Sequence, residues 1–194
     1  YRMDFNTMAD FHFSLDADIT VAVQPVSRND APRFGILKRS DNFKITDFFE
    51  KPKDEETLKY AESRKNAEKP YLGSMGIYLF KTEVLIDLLD QIKADDFGGE
   101  IIPAAIKTHN VYGYDFEGFW EDIGTIRTFY NTNLALTKPN PPFNFYDPSK
   151  PIYSHPRFLP GSIVTNSVME DTLLSEGCCI TNAEIKHSII GLRS

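Results

Sequence analysis

Apolar and polar positions change period several times along the chain. Residues 3–15, "MDFNTMADFHFSL", carry apolar side chains at helical spacing and predict a helix ending near Leu15. "ADITVAVQPV" (17–26) alternates and is rich in β-branched residues, the pattern of a mostly buried strand. "RFGILKRS" and "FKITDFFEKP" predict two strands joined by a turn at "SDN", the second ended by Pro52, which cannot donate to a ladder. "DEETLKYAESRKNAEK" mixes charges of both signs and predicts a solvent-facing helix or insertion. "MGIYLF" predicts a short buried strand. "TEVLIDLLDQI" predicts a helix with Thr82 as N-cap and one apolar face, Val84, Leu85, Leu88, Leu89 and Ile92.

Further on, "DDFGGEIIPAAIKT" reads as a loop leading into a short helix. "VYGYDF" reads as a strand, Glu117–Gly118 as a turn, and "TIRTFYNTNLALT" as an amphipathic helix. Strands alternating with helices predict an α/β domain with a mixed sheet. The pattern breaks at residues 138–160, which hold seven of the twelve prolines and predict a linker or extended arm. Beyond it, "SVMEDTLLSEGCCITNAEIKHSII" recurs in about three imperfect hexads, with Leu173/Leu174, Cys179/Ile180 and Ile185 as the apolar marks. That predicts the start of a left-handed parallel β-helix, roughly one coil of it. The expected domains are 1–137, a linker at 138–161, and 162–194.

Composition narrows the function. At 41% hydrophobic, 194 residues suffice for one sizeable core. A net charge of −7 disfavours general nucleic-acid binding but leaves room for a phosphorylated small molecule held by one or two placed cations. No apolar run approaches the roughly 20 residues of a membrane-spanning helix. The two cysteines, Cys178 and Cys179, are adjacent, which suits neither a disulfide framework nor a spaced zinc site and points to a reducing compartment. "YRMDF" lacks the pattern of a secretory leader and reads as an internal stretch.

Four motifs carry candidate chemistry, and each has a plainer explanation. Glu50–Lys51 at a strand end can bind a sugar phosphate, the acid accepting from hydroxyls and the lysine meeting the phosphate; it can equally be a solvated strand end. Gly73 and Gly76 around Ser74 let a ligand approach the backbone, or merely soften a strand. In "GFWEDIGT", Asp122 follows the only Trp at an expected strand-to-helix junction. It can hold Mg²⁺ beside a phosphate or cap the next helix, although Thr125 is as good a cap. "DDFGGE" is either a site loop or a plain helix-leading loop.

The order of these motifs is more telling than any one of them. "FFEKP", "GSMGIY", "DDFGGEIIP", "FWEDIGT", "PIYSHPRFLP" and the hexapeptides ending "HSIIGLRS" together resemble the ADP-glucose pyrophosphorylases (glucose-1-phosphate adenylyltransferases) of the sugar nucleotidyltransferase family, across nearly the whole chain. The resemblance implies a Rossmann-like nucleotidyltransferase domain followed by a left-handed β-helix. It implies glucose 1-phosphate and ATP as substrates, ADP-glucose and pyrophosphate as products, and Mg²⁺ as cofactor, with no nucleic-acid or membrane partner. By the same resemblance Glu50 and Lys51 bind the sugar and its phosphate, the backbone of Gly35 and the side chains of Ser74 and Tyr78 meet the sugar, Asp96 and Phe97 shape its pocket, Trp120 packs near it, and Asp122 is a metal ligand. Phe49 departs from the small or acidic residue usual there.

The family's Gly-rich nucleotide loop and "GDH" metal aspartate fall upstream of the positions matching Tyr1–Arg2, so the sequence is expected to be a central fragment, inactive when isolated. A homo- or hetero-tetramer is implied for the full-length protein, in the cytoplasm of a bacterium or the plastid of a plant or alga. A regulatory subunit that has lost catalysis, or a nucleotidyltransferase for another sugar or base, stays open on these residues.

Overall fold

The computed structural model describes every residue except Ala67 and Asp95, so the first acid of "DDFGGE" and one position of the charged insertion lie outside the described residues. The chain divides into two compact units, residues 3–118 and residues 1–2 with 119–194.

The first unit is built on a five-stranded mixed sheet. Its strands are β1 (Ile19–Val26), β2 (Gly35–Arg39), β3 (Ile45–Glu50), β4 (Tyr71–Phe80) and β5 (Val111–Asp115), in the order β3-β2-β4-β1-β5. Only the β1–β5 pair is parallel. Alternation sends neighbouring residues to opposite faces: Leu37 and Leu72 enter one apolar cluster, while Ile36 and Tyr71 enter a second. Helix α3 (Thr82–Gln91) supplies Val84 and Leu88 to the first cluster. The segment running through α4 (Ile102–Ala105) adds Ile101, Ile102 and Ala105. Helix α2 (Glu55–Ala61) closes the second with Leu58 and Ala61. Each fully buried aliphatic side chain contributes about 1.5–3 kcal/mol, so the sheet is clamped from both faces.

Several sequence expectations need correction here. The charged segment is not merely solvent-facing, since α2 turns two residues into the core. The strand expected at "MGIYLF" is the ten-residue β4, and its most buried part is Tyr71–Gly73. Thr82 is not the N-cap of α3: that position is Lys81, whose side chain makes no cap bond and instead contacts Asp16 and Asp18 at 2.8 and 3.0 Å. "DDFGG" is no plain loop, because Phe97–Ile101 form a π-helical turn capped by Asp96, which accepts from the Gly98 amide.

Helix α1 (Phe5–Ser14) starts at Asp4, which caps the Asn6 amide, and contacts β1. Its His12 is buried, with Nδ1 2.8 Å from the Thr20 hydroxyl.

In the second unit α5 (Ile126–Ala135) has no buried residue. Residues 138–160 contain neither helix nor strand, and Arg2 holds part of this stretch by bonding the carbonyls of Asn144 and Lys150. Then β6 (Ile163–Thr165) pairs in parallel with β8 (Cys179–Thr181), and β7 (Val168–Leu174) with β9 (Glu184–Ile190). Every pair is offset by 16 residues, as in Ile163↔Cys179 (179 − 163 = 16) and Val168↔Glu184 (184 − 168 = 16). Successive rungs therefore advance by 16, not by three hexads, and more than one coil is present. The corners carry the same repeat. Asn166 and Asn182, Asp171 and His187, and Gly177 and Arg193 all have positive φ. Asn166 donates to Asn182 at 2.6 Å, and His187 lies 3.3 Å from Asp171. Seams between coils are closed by serines: Ser162 Oγ accepts from the Cys178 amide and Ser167 Oγ from the Ala183 amide.

The buried His12 gives a pH test. Burial first, then the nearby Lys81 charge, holds its pKa below the usual 6.5 against the opposing pull of Asp18 and Asp16. The unfolded chain then binds the extra proton, so this stabilisation is complete above pH 6.5 and is lost as pH falls below that value through the lowered folded pKa. Chemical denaturation at about pH 7.5 and about pH 5.5 should show a larger loss for the native sequence than for His12→Gln. Equal losses would remove His12 from this role.

Candidate functional site

The strand-end motif is placed by the β2–β3 hairpin. Gly35, the first residue of β2, pairs with Glu50, the last of β3. The strand ends at Glu50 before Pro52 can act, because Lys51 takes φ +46°. A non-glycine residue in that region costs about 1–3 kcal/mol unless its surroundings enforce it. Here the Lys51 amide donates to the Phe34 carbonyl at 3.1 Å, and Pro52 behind it is buried. The turn brings Lys51 Nζ to 3.0 Å from Glu50 Oε1. The lysine and glutamate side chains are 61% and 37% exposed, so this pair adds little stability.

The glycines of "LGSMGIY" have separate reasons. Val21 pairs with Tyr78 but Val23 with Ser74, so β4 carries a bulge between Ser74 and Tyr78. Gly76 sits in that bulge at φ +70°, where an L side chain is strained. Gly73 instead lies against Val26, whose methyl would stand 3.0 Å from an added Cβ.

Tyr78 links this strand to the "DFGG" turn. Its ring stacks on Phe97 at 6.0 Å with a 24° tilt between planes, and both rings meet Phe80. Burial pushes the Tyr78 phenol pKa up, the Ser74 hydroxyl pulls it down, and the negative charges of Asp96 and Glu50 add to the rise. Above Gly98, Glu50 Oε2 and Asp96 Oδ1 both converge, 3.5 and 3.6 Å from where a Cβ would stand. Glu50, Lys51, Gly35, Ser74, Tyr78, Asp96 and Phe97 thus form one connected cluster. It presents two carboxylates and a hydroxyl as hydrogen-bond acceptors, one ammonium, and a wall of stacked rings. Such a set suits a polyhydroxylated ligand bearing an anionic group.

Two residues that meet this cluster, Gly98 and Phe48, lie inside the motifs "DDFGGE" and "FFEKP" but had no role of their own in the sequence reading. Phe48 had a signal, since it lies two residues before Glu50 and so on the same strand face. Phe49 points the other way, packing edge-on against Tyr60 at 5.9 Å beside the second apolar cluster; this accounts for an aromatic at that position.

Trp120 and Asp122 belong to the other compact unit, on an irregular stretch rather than at the end of a strand as expected. The N-cap of α5 is Thr125, in a capping box with Thr128. Asp122 makes no hydrogen bond or ion pair among the described residues. Its exposed carboxylate lies 3.4 Å from where a Cβ on Gly124 would stand. No group of three or more His, Cys, Asp or Glu that could cage a metal occurs among the described residues.

Residues 1–139 match the nucleotidyl transferase family, and residues 157–194 match the GLGC left-handed parallel β-helix domain. The chain belongs to the nucleotidyl transferase family, with the β-helix domain following. It is similar to the glucose-1-phosphate adenylyltransferase small subunit, chloroplastic/amyloplastic, of Triticum aestivum, with 45% identity over 206 aligned residues. That alignment takes in 100% of this chain and 44% of the wheat protein, so the chain spans less than half the relative's length. No helix among the described residues is long and apolar enough to cross a membrane.

The cap assignment can be checked by thermal unfolding. Thr125→Ala should cost about 1 kcal/mol, the usual loss for a deleted N-cap, while Asp122→Ala should leave the melting temperature unchanged. A matching loss in both variants would return a structural role to Asp122.

Proposed function

We propose that the protein is a glucose-1-phosphate adenylyltransferase, converting ATP and glucose 1-phosphate to ADP-glucose and pyrophosphate for starch or glycogen synthesis. The observation that carries this is the convergence of Glu50, Lys51, Gly35, Ser74, Tyr78, Asp96 and Phe97 in one connected cluster, from four separate stretches of sequence, in a chain 45% identical to the wheat adenylyltransferase.

In this reading Lys51 binds the phosphate of glucose 1-phosphate. Glu50 and Asp96 accept from sugar hydroxyls, the Gly35 backbone and Ser74 approach the sugar closely, and the Tyr78–Phe97 stack borders the pocket. A phosphate oxygen of glucose 1-phosphate attacks the α-phosphorus of ATP in line, and pyrophosphate leaves. Such a transfer needs positioning and charge neutralisation more than a covalent intermediate. Lys51 and Asp122 are the catalytic residues here, Lys51 because it holds the attacking group and Asp122 because it would hold the metal.

A divalent metal fits the residues present in one way. Asp122 offers an exposed carboxylate without a protein partner among the described residues, and the described residues form no cage. That suits a hard cation, Mg²⁺ in this proposal, completed largely by phosphate oxygens. Such an ion neutralises charge on the reacting phosphates when bound. The wheat protein is chloroplastic/amyloplastic, which supports a plastid, and it is a small subunit, which supports assembly with other subunits in the homo- or hetero-tetramer expected of the full-length protein.

The test is kinetic, on the full-length protein. Lys51→Ala should raise the KM for glucose 1-phosphate about tenfold to hundredfold, with the KM for ATP nearly unchanged. An equal rise for both substrates would defeat the sugar-phosphate role. Glucose 1-phosphate binding without pyrophosphate release would support a non-catalytic subunit instead.

Asp122→Asn removes a charge and little volume. The kcat should fall by orders of magnitude at an unchanged melting temperature. Full activity in this variant would end the metal assignment.

A further inference from the structure

Phe48 lies beneath the sugar-phosphate cluster without offering any group to a ligand. It is half-buried, pairs with Leu37 across the hairpin, and packs against the first apolar cluster. Its ring tip reaches into space left open by two glycines. A Cβ on Gly35 would stand 2.3 Å from Phe48 Cζ, 2.9 Å from its Cε1 and 3.1 Å from Glu50 Oε2. A Cβ on Gly98 would stand 3.6 Å from the same Cζ and 3.5 Å from the same Oε2. Ring tip and carboxylate oxygen therefore share one slot, walled by glycine backbone from β2 and from the π-helical turn. The other carboxylate oxygen faces the Lys51 ammonium at 3.0 Å.

We propose that Phe48 is a positioning residue: anchored in the core, its ring fills the slot between Gly35 and Gly98 and fixes the Glu50 carboxylate in the orientation that binds the sugar. This rests on the sugar-phosphate reading of the cluster. The physical reason is conformational entropy. A glutamate on an open strand end must give up its rotamer freedom when it binds. A ring braced by the core removes that freedom beforehand, so the loss does not fall on ligand binding. Gly35 and Gly98 belong to the device, because a side chain at Gly35 would displace the ring.

The experiment is steady-state kinetics with glucose 1-phosphate and ATP on the full-length protein. The variants are Phe48→Leu, Glu50→Gln and the double variant, with melting temperatures alongside. Leucine keeps a core anchor but loses the ring tip. Phe48→Leu should raise the KM for glucose 1-phosphate about tenfold, with kcat and the KM for ATP within about twofold. If Phe48 acts through Glu50, adding Phe48→Leu to Glu50→Gln should change the KM by less than about twofold.

A purely structural role would lower the melting temperature and leave both KM values in place, or give losses that multiply in the double variant. Either result overturns the proposal while the adenylyltransferase reading stands. Absence of glucose 1-phosphate turnover in the unaltered protein overturns both. Should Phe48→Leu fail to fold, Phe48→Met, whose longer unbranched side chain reaches further toward the ring tip, carries the same comparison with a smaller expected rise of about threefold.

Discussion

Pairing of Gly35 with Glu50 at the open end of the β2–β3 hairpin is the constraint on which the candidate site depends. It puts a residue without a side chain opposite a carboxylate, leaving room for the Phe48 ring and Glu50 Oε2. The chain then turns at once through the left-handed conformation of Lys51. A lysine continuing an extended strand would point to the opposite face from the glutamate before it. The positive φ at Lys51 is what allows neighbouring residues to meet in one ion pair. That pair is exposed and contributes little to stability; the conformation behind it is held by the Lys51 amide bond to Phe34 and by the burial of Pro52.

The apolar core reaches the site through aromatic side chains. Tyr78 and Phe80 pack against the first apolar cluster and against Phe97 of the π-helical turn. The bulge in β4, made possible by Gly76, sets the register of Ser74 and Tyr78 against β1. Core packing and the candidate site are thus joined on that sheet face, and within the bulge the Gly76 amide donates to the Ser74 hydroxyl at 3.3 Å.

In the other unit the governing constraint is the 16-residue offset. Left-handed corners recur at Asn166 and Asn182, Asp171 and His187, and Gly177 and Arg193. Glycine, asparagine and aspartate tolerate that conformation best, and stacking equivalent corners lets one polar side chain meet the next, as in the Asn166–Asn182 bond. Polar corners and serine seams join successive coils alongside the parallel strand pairing.

Much was legible without coordinates. Alternating β-branched runs gave the strands of the mixed sheet, because period 2 is local. The prolines marked 138–160, because seven of them in one stretch remove the backbone donors that a helix interior or a sheet ladder needs. The ordered motifs pointed to the candidate site residues through a family resemblance, because each is a short contiguous string. What the sequence could not show was set by long-range contact. Which residues of the charged segment turn inward depends on the second apolar cluster. The cap of α3 shifts to Lys81, a position favoured by the pull of Asp16 and Asp18 on its side chain. The 16-residue repeat hides beneath an apparent hexad, because its evidence lies in φ values and cross-coil pairing. Phe48 reads locally as one more strand aromatic; only the slot between Gly35 and Gly98, 63 residues apart in sequence (98 − 35 = 63), gives it a place beside the chemistry.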